Sequence, residues 1–580
     1  MFTSEKALLG EIANELSSCG CCSRCTMRYL GDKDMHTYRG NYKDMAEMVQ
    51  DIRGKSSVEQ PDIDKNGKTV DTSETTNKCD IDSQKSVSNS TNTPMETDDS
   101  SNCKTDSAFE LNGNGEDCDT ADGSKSNTQS HSSNTSSACV ICLGILEQFA
   151  EEKFLNKMKE DIDLEGFKYK EYMCSLMVPV CIILRERAIL LHLKEKFRTV
   201  YGDKTDMDIA PIKDVWKWRN GPLLTDLLGA PFSPKSMFDI TMTFDYTESN
   251  KECTFLLSSS CSEMFVKRKH DRRFRKKLAQ SLYTRANVGK ALDKLSDDEF
   301  RKSYQCPPLA PKAAISCDIK CQNENVFVAG RYNKYSRELS QTPWLIDGVR
   351  RSESSVEELL CGPINKHFRP DEQKFSSSGR EDVDVRMLGN GRPFVLELIN
   401  PRCRNFSSEQ MAKMQQDINT STEDIKCRDL QIVPKEETEV LKQGEIDKVK
   451  WYRALCWSEQ PVSQQHLDTL NSTKELKILQ KTPIRVLHRR PLATRDKLIH
   501  SMSATRVDDT HFSVDLSTQA GTYIKEFVHG DLGRTRPNLS IILGIDVDIL
   551  DLDVTAIELD WPKAVDQDRE QELQKPQTDT

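Results

Sequence analysis

Long hydrophobic runs are missing from this sequence of 580 residues. The most apolar stretch, residues 173–184, contains Pro179 and ends before Arg185. A membrane-spanning helix needs about 20 apolar residues, so we expect no membrane segment and no membrane partner. The first residues also lack the basic and then apolar layout of a secretory signal. We therefore expect that the protein is not secreted.

Nucleotide-binding motifs are missing as well. The glycine pair Gly389 and Gly391 precedes a strand-like apolar segment, whereas a dinucleotide or methyl-donor motif would open a helix. No Walker motif is present, and the His-x-Glu and Pro-Cys-x-x-Cys signatures of the zinc deaminases are absent. These absences weigh against methyltransferases, thiolation enzymes and deaminases. They predict that no nucleotide or other organic cofactor is bound.

An excess of positive charge, which many nucleic-acid-binding proteins carry, is lacking too, since the net charge is −11. The acidity is concentrated in two segments. Residues 54–138 hold 16 acidic and 7 basic residues, and residues 564–580 hold 5 and 2. These segments carry −9 and −3, so all other residues together carry +1. The net charge therefore does not exclude a nucleic-acid partner.

The same two segments divide the chain. Residues 54–138 are rich in Ser, Thr, Asn, Asp and Gly and contain no Trp or Tyr. Such a segment buries too little apolar surface to offset the entropy of ordering, so we predict a disordered acidic insertion at 54–138 and a disordered acidic tail at 564–580. The other predicted units are an N-terminal helix with a cysteine pair at 1–53, an α/β domain at 139–305 and an α+β domain at 312–563.

Apolar periodicity predicts the main helices and strands. The predicted helices are 5–16, 140–154, 186–200, 355–360 and 408–418. The predicted strands are 238–244, 326–329, 393–399, 450–454 and 512–516. A further strand at 521–525 is predicted to run into a helix.

Cysteine, by contrast, is abundant, with 20 residues scattered through a large chain, which favours a reducing compartment over disulfides. Four stand at metal-ligand spacing: Cys22 and Cys25, then Cys139 and Cys142. Zn²⁺ takes four thiolates tetrahedrally at about 2.3 Å. The long insertion between the pairs is tolerated because the cost of loop closure grows only logarithmically with length. We predict a structural zinc site, although Cys19 and Cys21 leave its register open.

Three segments carry candidate catalytic side chains. A glycine-led turn at 378–389 presents Arg380, Asp382 and Asp384 before a strand. The strand Lys-Trp-Tyr-Arg-Ala at 450–454 presents Tyr452, and Gly-Thr-Tyr-Ile-Lys at 521–525 ends in Lys525. Taken singly, these are typical of a solvated turn, a core aromatic and a surface lysine. The combination is far more specific.

Together the three segments resemble, in order, the signatures of pseudouridine synthases: the Gly-Arg-x-Asp loop, the Lys-x-Tyr strand and the Gly-Thr-Tyr-Ile-Arg/Lys strand. The archaeal and eukaryotic tRNA pseudouridine synthases that modify the T-arm, at positions 54 and 55, are the most similar group. They share the segments 330–337, 341–344 and 481–491, and an N-terminal domain with Cys-x-x-Cys knuckles and a THUMP-like RNA-binding unit. The resemblance covers about 1–50 and 139–563.

This resemblance implies the pseudouridine synthase fold, which is α+β with a mixed, largely antiparallel sheet flanked by helices and loops. It also implies an N-terminal α/β THUMP-like domain with a zinc knuckle. The implied activity is that of an isomerase that forms pseudouridine in the T-arm of tRNA by base flipping and aspartate catalysis. We expect a monomer in the nucleus and the cytoplasm, with the mitochondrion as a further compartment. The alternative is a non-catalytic protein that binds structured RNA, which the intact Asp382, Tyr452 and Lys525 disfavour.

The resemblance also implies a role for each site residue. Asp382 is the catalytic aspartate, Lys525 is its basic partner, and Tyr452 stacks on the target base. Arg380 fills the space left by the flipped nucleotide. Further substrate-binding residues are Ile524, Leu552, Arg331, Arg485, His488, Arg489 and Arg490. The forefinger (residues 342–355), the thumb (residues 480–495) and a basic run at 267–277 are expected to grip the RNA, with binding that weakens as salt rises.

The chemistry explains why such residues are needed. The N1–C1′ bond of uridine breaks and a C5–C1′ bond forms without redox change, so neither a metal nor an organic cofactor takes part in the reaction. One carboxylate can attack the base or the sugar, or deprotonate a glycal-like species, and the sequence leaves these routes open. Burial raises the pKa of a carboxyl group in general, and a nearby cation opposes that shift. For this reason we expect Lys525 beside the aspartate.

Overall fold

The computed structural model describes residues 2–54, 138–265, 282–443, 448–488 and 490–565. The basic run at 267–277, Arg489 and nearly all of the two acidic segments lie outside the described residues. What the sequence predicts for them stays a prediction. Within the described part, no helix is both long and apolar enough for a membrane span.

The N-terminal half combines ten helices of the described residues with a small sheet. The helices are α1 (Phe2–Ser18), α2 (Ser23–Tyr29), α3 (Tyr42–Gly54), α4 (Glu152–Glu165), α5 (Cys181–Lys196), α6 (Arg198–Tyr201), α7 (Ile212–Leu228), α8 (Ser249–Glu252), α9 (Arg285–Lys294) and α10 (Asp297–Ser303). The strands are β1 (Met173–Met177), β2 (Phe238–Asp245) and β3 (Ser316–Asn323). Strand β2 lies in the middle, parallel to β1 and antiparallel to β3.

The alternation of residues in β2 decides which face is buried. Phe238, Ile240, Met242 and Phe244 are buried, and the residues between them are partly exposed. Because side chains alternate between the two faces of a strand, one face enters the core that the sheet shares with α4, α5 and α7. The strand predicted at 238–244 is thus confirmed.

Two sequence predictions for this half need correction. The predicted helix at 140–154 is wrong: residues 140–147 form turns, and α4 begins only at Glu152. Leu143 and Gly144 adopt φ angles of 57° and 95°, and such left-handed residues interrupt a right-handed helix. The boundary predicted at 305–312 is also displaced, because β3 at 316–323 still pairs with β2. The prolines at 307, 308 and 311 interrupt the chain without ending the domain.

The C-terminal half is built on a ten-stranded sheet. Its strands are β4 (Val326–Lys334), β7 (Glu372–Ser377), β8 (Arg386–Ile399), β9 (Ile425–Val433), β10 (Lys450–Ser458), β11 (Lys474–Lys481), β12 (Thr494–Arg506), β13 (His511–Thr518), β14 (Thr535–Arg536) and β15 (Val547–Ile557). A separate hairpin contains β5 (Leu345–Ile346) and β6 (Val349–Arg350). The helices are α11 (Val356–Phe368), α12 (Ser408–Ser421), α13 (Glu439–Gln443), α14 (Gln464–Ser472), α15 (Ile524–His529) and α16 (Leu539–Leu543).

The strand order is β14-β11-β12-β13-β10-β15-β8-β4-β9, and β7 pairs with β8. Neighbouring strands are antiparallel except β15 and β8, which are parallel over two residue pairs. This agrees with the predicted mixed, largely antiparallel sheet. Tyr452 pairs with Val554, and Val554 pairs with Met387 near the start of β8. The start of β8, and with it the end of the preceding loop, therefore lies level with Tyr452 in the first part of β10.

The third signature segment does not form the predicted strand. Strand β13 ends at Thr518, and helix α15 begins at Ile524. Gly521 has a φ of +75°, and the Thr522 hydroxyl donates to the carbonyl of Gln519, so the intervening residues form a turn. Lys525 consequently projects from the first turn of a helix.

Candidate active site

The three signature segments meet at one cavity of 860 Å³ in the C-terminal half. Asp382, Tyr452 and Lys525 all line it, although they are separated by up to 143 residues in the sequence. Other side chains named from the sequence also line it: Arg380, Arg485, Arg490, Ile524 and Leu552. Concave sites of this size that gather a few polar groups are typical of substrate sites.

The loop that carries Asp382 (residues 378–385, the catalytic loop) is anchored by a buried ion pair. The Glu381 carboxylate accepts from Arg392 Nε at 2.7 Å, and both side chains are at most 2% exposed. Arg392 also donates to the carbonyl of Ser378, and the Tyr332 hydroxyl donates to Glu381 at 2.8 Å. The residue next to Asp382 is therefore fixed in the core.

A buried lysine holds the other side of the catalytic loop. Lys334 Nζ donates to the carbonyls of Asp382 at 3.1 Å, Val383 at 2.7 Å and Leu339 at 2.8 Å. An ammonium group has three donors, so all are used. Burial lowers the pKa of Lys334 to about 8, against the opposing effect of the Glu381, Asp384 and Asp382 carboxylates. The backbone of the loop is thus fixed at Asp382 itself.

The glycine of the Gly-Arg-x-Asp loop is favoured first by its backbone conformation and then by limited space. Gly379 has a φ of +89°, and a Cβ atom there would lie 2.8 Å from Lys450 Nζ and 3.1 Å from Arg392 Nη1. Arg380, the next residue, is exposed and donates to the Thr342 hydroxyl at 3.4 Å. This contact joins the catalytic loop to the start of the forefinger.

Asp382 pairs with an arginine that the sequence had placed among the RNA contacts. Arg485 Nη1 donates to Asp382 Oδ2 at 2.6 Å, and Arg485 Nε donates to Glu526 Oε1 at 2.6 Å. Burial lowers the pKa of Arg485, but the two carboxylates outweigh burial and raise it overall. The guanidinium therefore stays charged. Asp382 Oδ1 has no hydrogen-bond partner in the described part of the chain.

The predicted pairing of Lys525 with Asp382 is not present. Lys525 Nζ instead donates to Asp384 Oδ2. Burial raises the pKa of Asp384, but the hydrogen bond and the charge of Lys525 lower it overall. The physical reason is the turn at 519–523. Because helix α15 begins only after this turn, Lys525 lies beside Asp384 and not beside Asp382.

An aromatic and two aliphatic side chains form the apolar part of the cavity. Tyr452 is half-buried and packs on the core, and Ile524 and Leu552 are buried beside it. Burial raises the pKa of Tyr452 to about 12, so its phenol keeps its proton at neutral pH. The Tyr452 hydroxyl has no hydrogen-bond partner among the described residues.

Two predicted RNA contacts lie outside this cavity. Arg331 is buried, and its guanidinium donates to the carbonyls of Asn390, Gly391, Leu559 and Trp561. The expectation that it binds substrate is therefore corrected: it ties β4 to β8 and to the segment that follows β15. His488 is exposed on the thumb and does not line the cavity.

Sequence reasoning missed the residues that position Asp382. Tyr332 and Lys334 lie in the 330–337 segment. The signal that could have identified them is the presence of polar side chains in a strand whose residues are nearly all buried. Glu381 and Arg392 gave no such signal, because Glu381 is one charge among several in a charged loop and Arg392 is a single charge at a Gly-Arg-Pro segment of β8. Gln341, whose side-chain nitrogen donates to the Tyr332 hydroxyl and to the carbonyl of Gly379, was noted only as part of a motif.

The four cysteines at metal-ligand spacing form a candidate metal centre in the N-terminal half. Cys22, Cys25, Cys139 and Cys142 are buried, with all sulfur atoms within 4.8 Å of one another. The sulfurs of Cys22 and Cys142 are 3.8 Å apart, which fits a tetrahedral ion with bonds of about 2.3 Å. The backbone N–H of Cys22 donates to Cys139 Sγ, and Arg28 Nη1 donates to Cys25 Sγ. Cys19 and Cys21 do not belong to this group.

Comparison with known protein families gives a match for each half of the chain. Residues 139–321 match the family described as "Eukaryotic Pus10, N-terminal", and residues 327–558 match "Pus10, C-terminal". The two matches meet where the chain passes from the three-stranded to the ten-stranded sheet.

Individual relatives extend over most of the chain. The tRNA pseudouridine synthase Pus10 of Homo sapiens is 44% identical over 440 residues, which cover 76% of this chain and 81% of the relative. That of Xenopus laevis is 46% identical and covers 74% and 81%. The archaeal enzyme of Thermofilum pendens is 36% identical and covers 50% and 65%. A solved Cbf5-Nop10-Gar1 complex matches at 15% identity with a TM-score of 0.24, covering 39% of this chain and 48% of that chain.

Proposed function

The chain belongs to the Pus10 family of tRNA pseudouridine synthases, and on this basis we propose that its cavity isomerises uridine in the T-arm of tRNA, at position 55, position 54 or both. The enzyme class follows from the family: an isomerase that forms pseudouridine in tRNA. The single observation that supports this site is the meeting of Asp382, Tyr452 and a cation in one cavity.

Asp382 is the proposed catalytic residue. During the reaction the N1–C1′ bond breaks, the base turns, C5 bonds to C1′, C5 loses its proton and N1 gains one. A carboxylate serves this sequence either as a nucleophile or as a base. One oxygen of Asp382 is held by Arg485, and the other has no partner among the described residues. The second oxygen is therefore available to the substrate.

The flipped uridine is proposed to stack on Tyr452. A uridine inside a stacked loop must leave the stack before its C1′ and C5 can be reached. Stacking of a base on an aromatic ring contributes roughly 1–3 kcal/mol, which offsets part of that cost. Ile524 and Leu552 exclude water beside the ring. Arg380, which lines the cavity and is exposed, is proposed to occupy the space that the base has left.

The forefinger and the thumb are proposed to grip the T-arm. The forefinger hairpin exposes Trp344, Leu345 and Val349, which suit contacts with bases, and carries Arg350 and Arg351 for phosphates. The thumb adds Arg490 and Arg495 at the cavity. Binding through such cations weakens as salt rises.

We propose in addition that Zn²⁺ is held by Cys22, Cys25, Cys139 and Cys142. Four sulfurs close the coordination shell, so the ion supplies no chemistry to the isomerisation. Its proposed role is to cross-link the segment after α1 to the turn that precedes α4. Purified protein should hold about one equivalent of zinc per chain, and less than about half an equivalent would contradict the assignment.

The position of the product tests the proposed substrate. Unmodified tRNA transcripts are incubated with the full chain, and pseudouridine is mapped chemically along the transcript. We expect pseudouridine at position 55, position 54 or both, and none when those uridines are replaced by cytidine. Product elsewhere in the tRNA would contradict the T-arm proposal while leaving the enzyme class intact.

A further inference from the structure

Arg485 connects two carboxylates that come from different elements. Its Nη1 atom lies 2.6 Å from Asp382 Oδ2, while Nε and Nη2 lie 2.6 Å and 3.4 Å from the two oxygens of Glu526. Asp382 belongs to the catalytic loop and Glu526 to helix α15. Arg485 itself lies in the short 3-10 helix Ile484–Val486 of the thumb. Three separate segments are thus joined by one guanidinium.

Glu526 has no part in the mechanism derived above, yet its side chain is only 2% exposed. A buried carboxylate is costly unless it is paired. Within the described residues its hydrogen-bond partner is Arg485. Because the guanidinium is planar and rigid, a contact through two of its nitrogens fixes the direction of the third. Glu526 therefore determines that Nη1 meets Asp382.

Lys525 does not compete for Asp382. It pairs with Asp384, whose side chain is 62% exposed. The two aspartates of the catalytic loop thus pair with different cations, Asp382 with Arg485 of the thumb and Asp384 with Lys525 of α15. Lys525, which the third signature segment implies as the partner of Asp382, thus pairs with the nearby Asp384 instead.

We propose that Arg485, positioned by Glu526, is the cationic partner of Asp382 during catalysis, so that the thumb that grips tRNA also completes the catalytic site. This inference rests on the proposed function, because it takes Asp382 as the reacting carboxylate. Its consequence is that RNA binding and chemistry are coupled through one element. The thumb is anchored for this role, since Asp531 accepts from the backbone N–H of Ile484 at 3.3 Å, next to Arg485.

The test measures single-turnover pseudouridine formation and tRNA affinity separately. Removing a hydrogen bond to a charged group lowers a rate by roughly ten- to a hundredfold when the bond acts in the transition state. We expect that loss in rate for Arg485→Met, with a smaller change in affinity and partial recovery on adding guanidinium at non-denaturing concentration. Arg485→Lys should lie between Arg485→Met and the wild type.

Glu526 is tested as a positioning residue by a double-mutant cycle. Glu526→Gln should lower the rate less than Arg485→Met does, and it should have no further effect in the Arg485→Met protein, because it acts through Arg485. Glu526→Asp, which keeps the charge, provides a second variant if the glutamine variant does not fold. Thermal unfolding of each variant separates loss of fold from loss of position.

Several outcomes would overturn the inference. One is that the effects of Glu526→Gln and Arg485→Met on the rate are additive. Another is that Lys525→Met lowers the rate more than Arg485→Met does. A third is that Arg485→Met raises the rate, which would mean that the arginine only blocks the cavity. Asp382→Asn serves as the reference. If Asp382→Asn is inactive and Arg485→Met is as fast as the wild type, this inference alone fails. If Asp382→Asn keeps its activity, the proposed function itself fails.

Discussion

The catalytic loop and the forefinger are neighbours in the C-terminal half, but they are held in opposite ways. The side chains of Glu381 and Lys334, which fix the loop, are fully buried. On the forefinger hairpin, Leu345 and Val349 are 59% and 58% exposed. The difference fits a division of labour under the proposed function, in which buried charges fix the loop that carries Asp382, the proposed reacting residue, before substrate arrives. The surface that is proposed to meet the RNA is left exposed.

The largest effect is expected from breaking the buried pair. Arg392→Met leaves Glu381 buried without its cation, which should lower the free energy of unfolding by about 3–5 kcal/mol. Urea unfolding measures it. The matched control is Arg453→Met, because Arg453 and Asp515 form an exposed pair on the same sheet, for which a loss of at most about 1 kcal/mol is expected. Equal losses of unfolding free energy in the two variants would contradict the claim that buried charges fix the catalytic loop more firmly than exposed pairs fix the rest of the sheet.

A smaller effect is expected at Lys334. Lys334→Met leaves three carbonyls without their donor, and we expect a loss of roughly 1–3 kcal/mol in stability together with a large loss of catalytic rate. Exposed lysines of the same sheet, such as Lys477, provide the control, and Lys477→Met should change neither quantity. A fully active Lys334→Met protein would contradict the assigned positioning role.

The protonation of Lys334 adds a pH dependence with opposite signs for rate and stability. Glu381, Asp382, Asp384 and Arg392 face it, and its pKa is lowered to about 8. Above pH 8 the neutral amine has only two donors for three carbonyls, so the rate should fall. Since the unfolded chain keeps its proton up to about pH 10.4, the contribution of this group to stability should rise between these values. In the Lys334→Met protein, this fall of the catalytic rate above pH 8 should be absent.

The smallest effect on stability is expected at the forefinger. Trp344 is 41% exposed, and Trp344→Ala should change the free energy of unfolding by no more than about 0.5 kcal/mol. It should nevertheless weaken tRNA binding by roughly 1–3 kcal/mol if the ring stacks on a base. Trp457, 39% exposed on β10 and not part of the cavity lining, is the matched control. Equal tRNA affinities of the Trp344→Ala and Trp457→Ala proteins would argue against the forefinger contact.

The sequence predicts the fold and the members of the site better than their pairing. The alternation in 238–244 and the motifs around Asp382 and Tyr452 are local patterns, and local patterns are what a sequence records directly. The partner of Asp382 depends on where the turn at 519–523 releases helix α15 and on how the thumb folds back, which are tertiary effects. The helix expected at 140–154 fails for a similar reason, because the turn that holds Cys139 and Cys142 overrides the apolar spacing.

The buried network around the catalytic loop was beyond sequence reasoning for a different reason. Glu381, Arg392 and Lys334 are ordinary charges in the sequence, and only burial makes each of them costly and therefore specific. Burial is set by β4 and β8, which are 52 residues apart at their nearest ends. A single sequence does not reveal which charges such a pairing encloses.

The most direct test of the central claim compares the wild type and Asp382→Asn in one assay. Tritium release from tRNA labelled at uridine C5 reports C5–C1′ bond formation, and tRNA affinity is measured in parallel. The wild type should release tritium, whereas Asp382→Asn should release none above background and bind tRNA with nearly unchanged affinity. Turnover by Asp382→Asn would contradict the assignment of Asp382 as the reacting carboxylate.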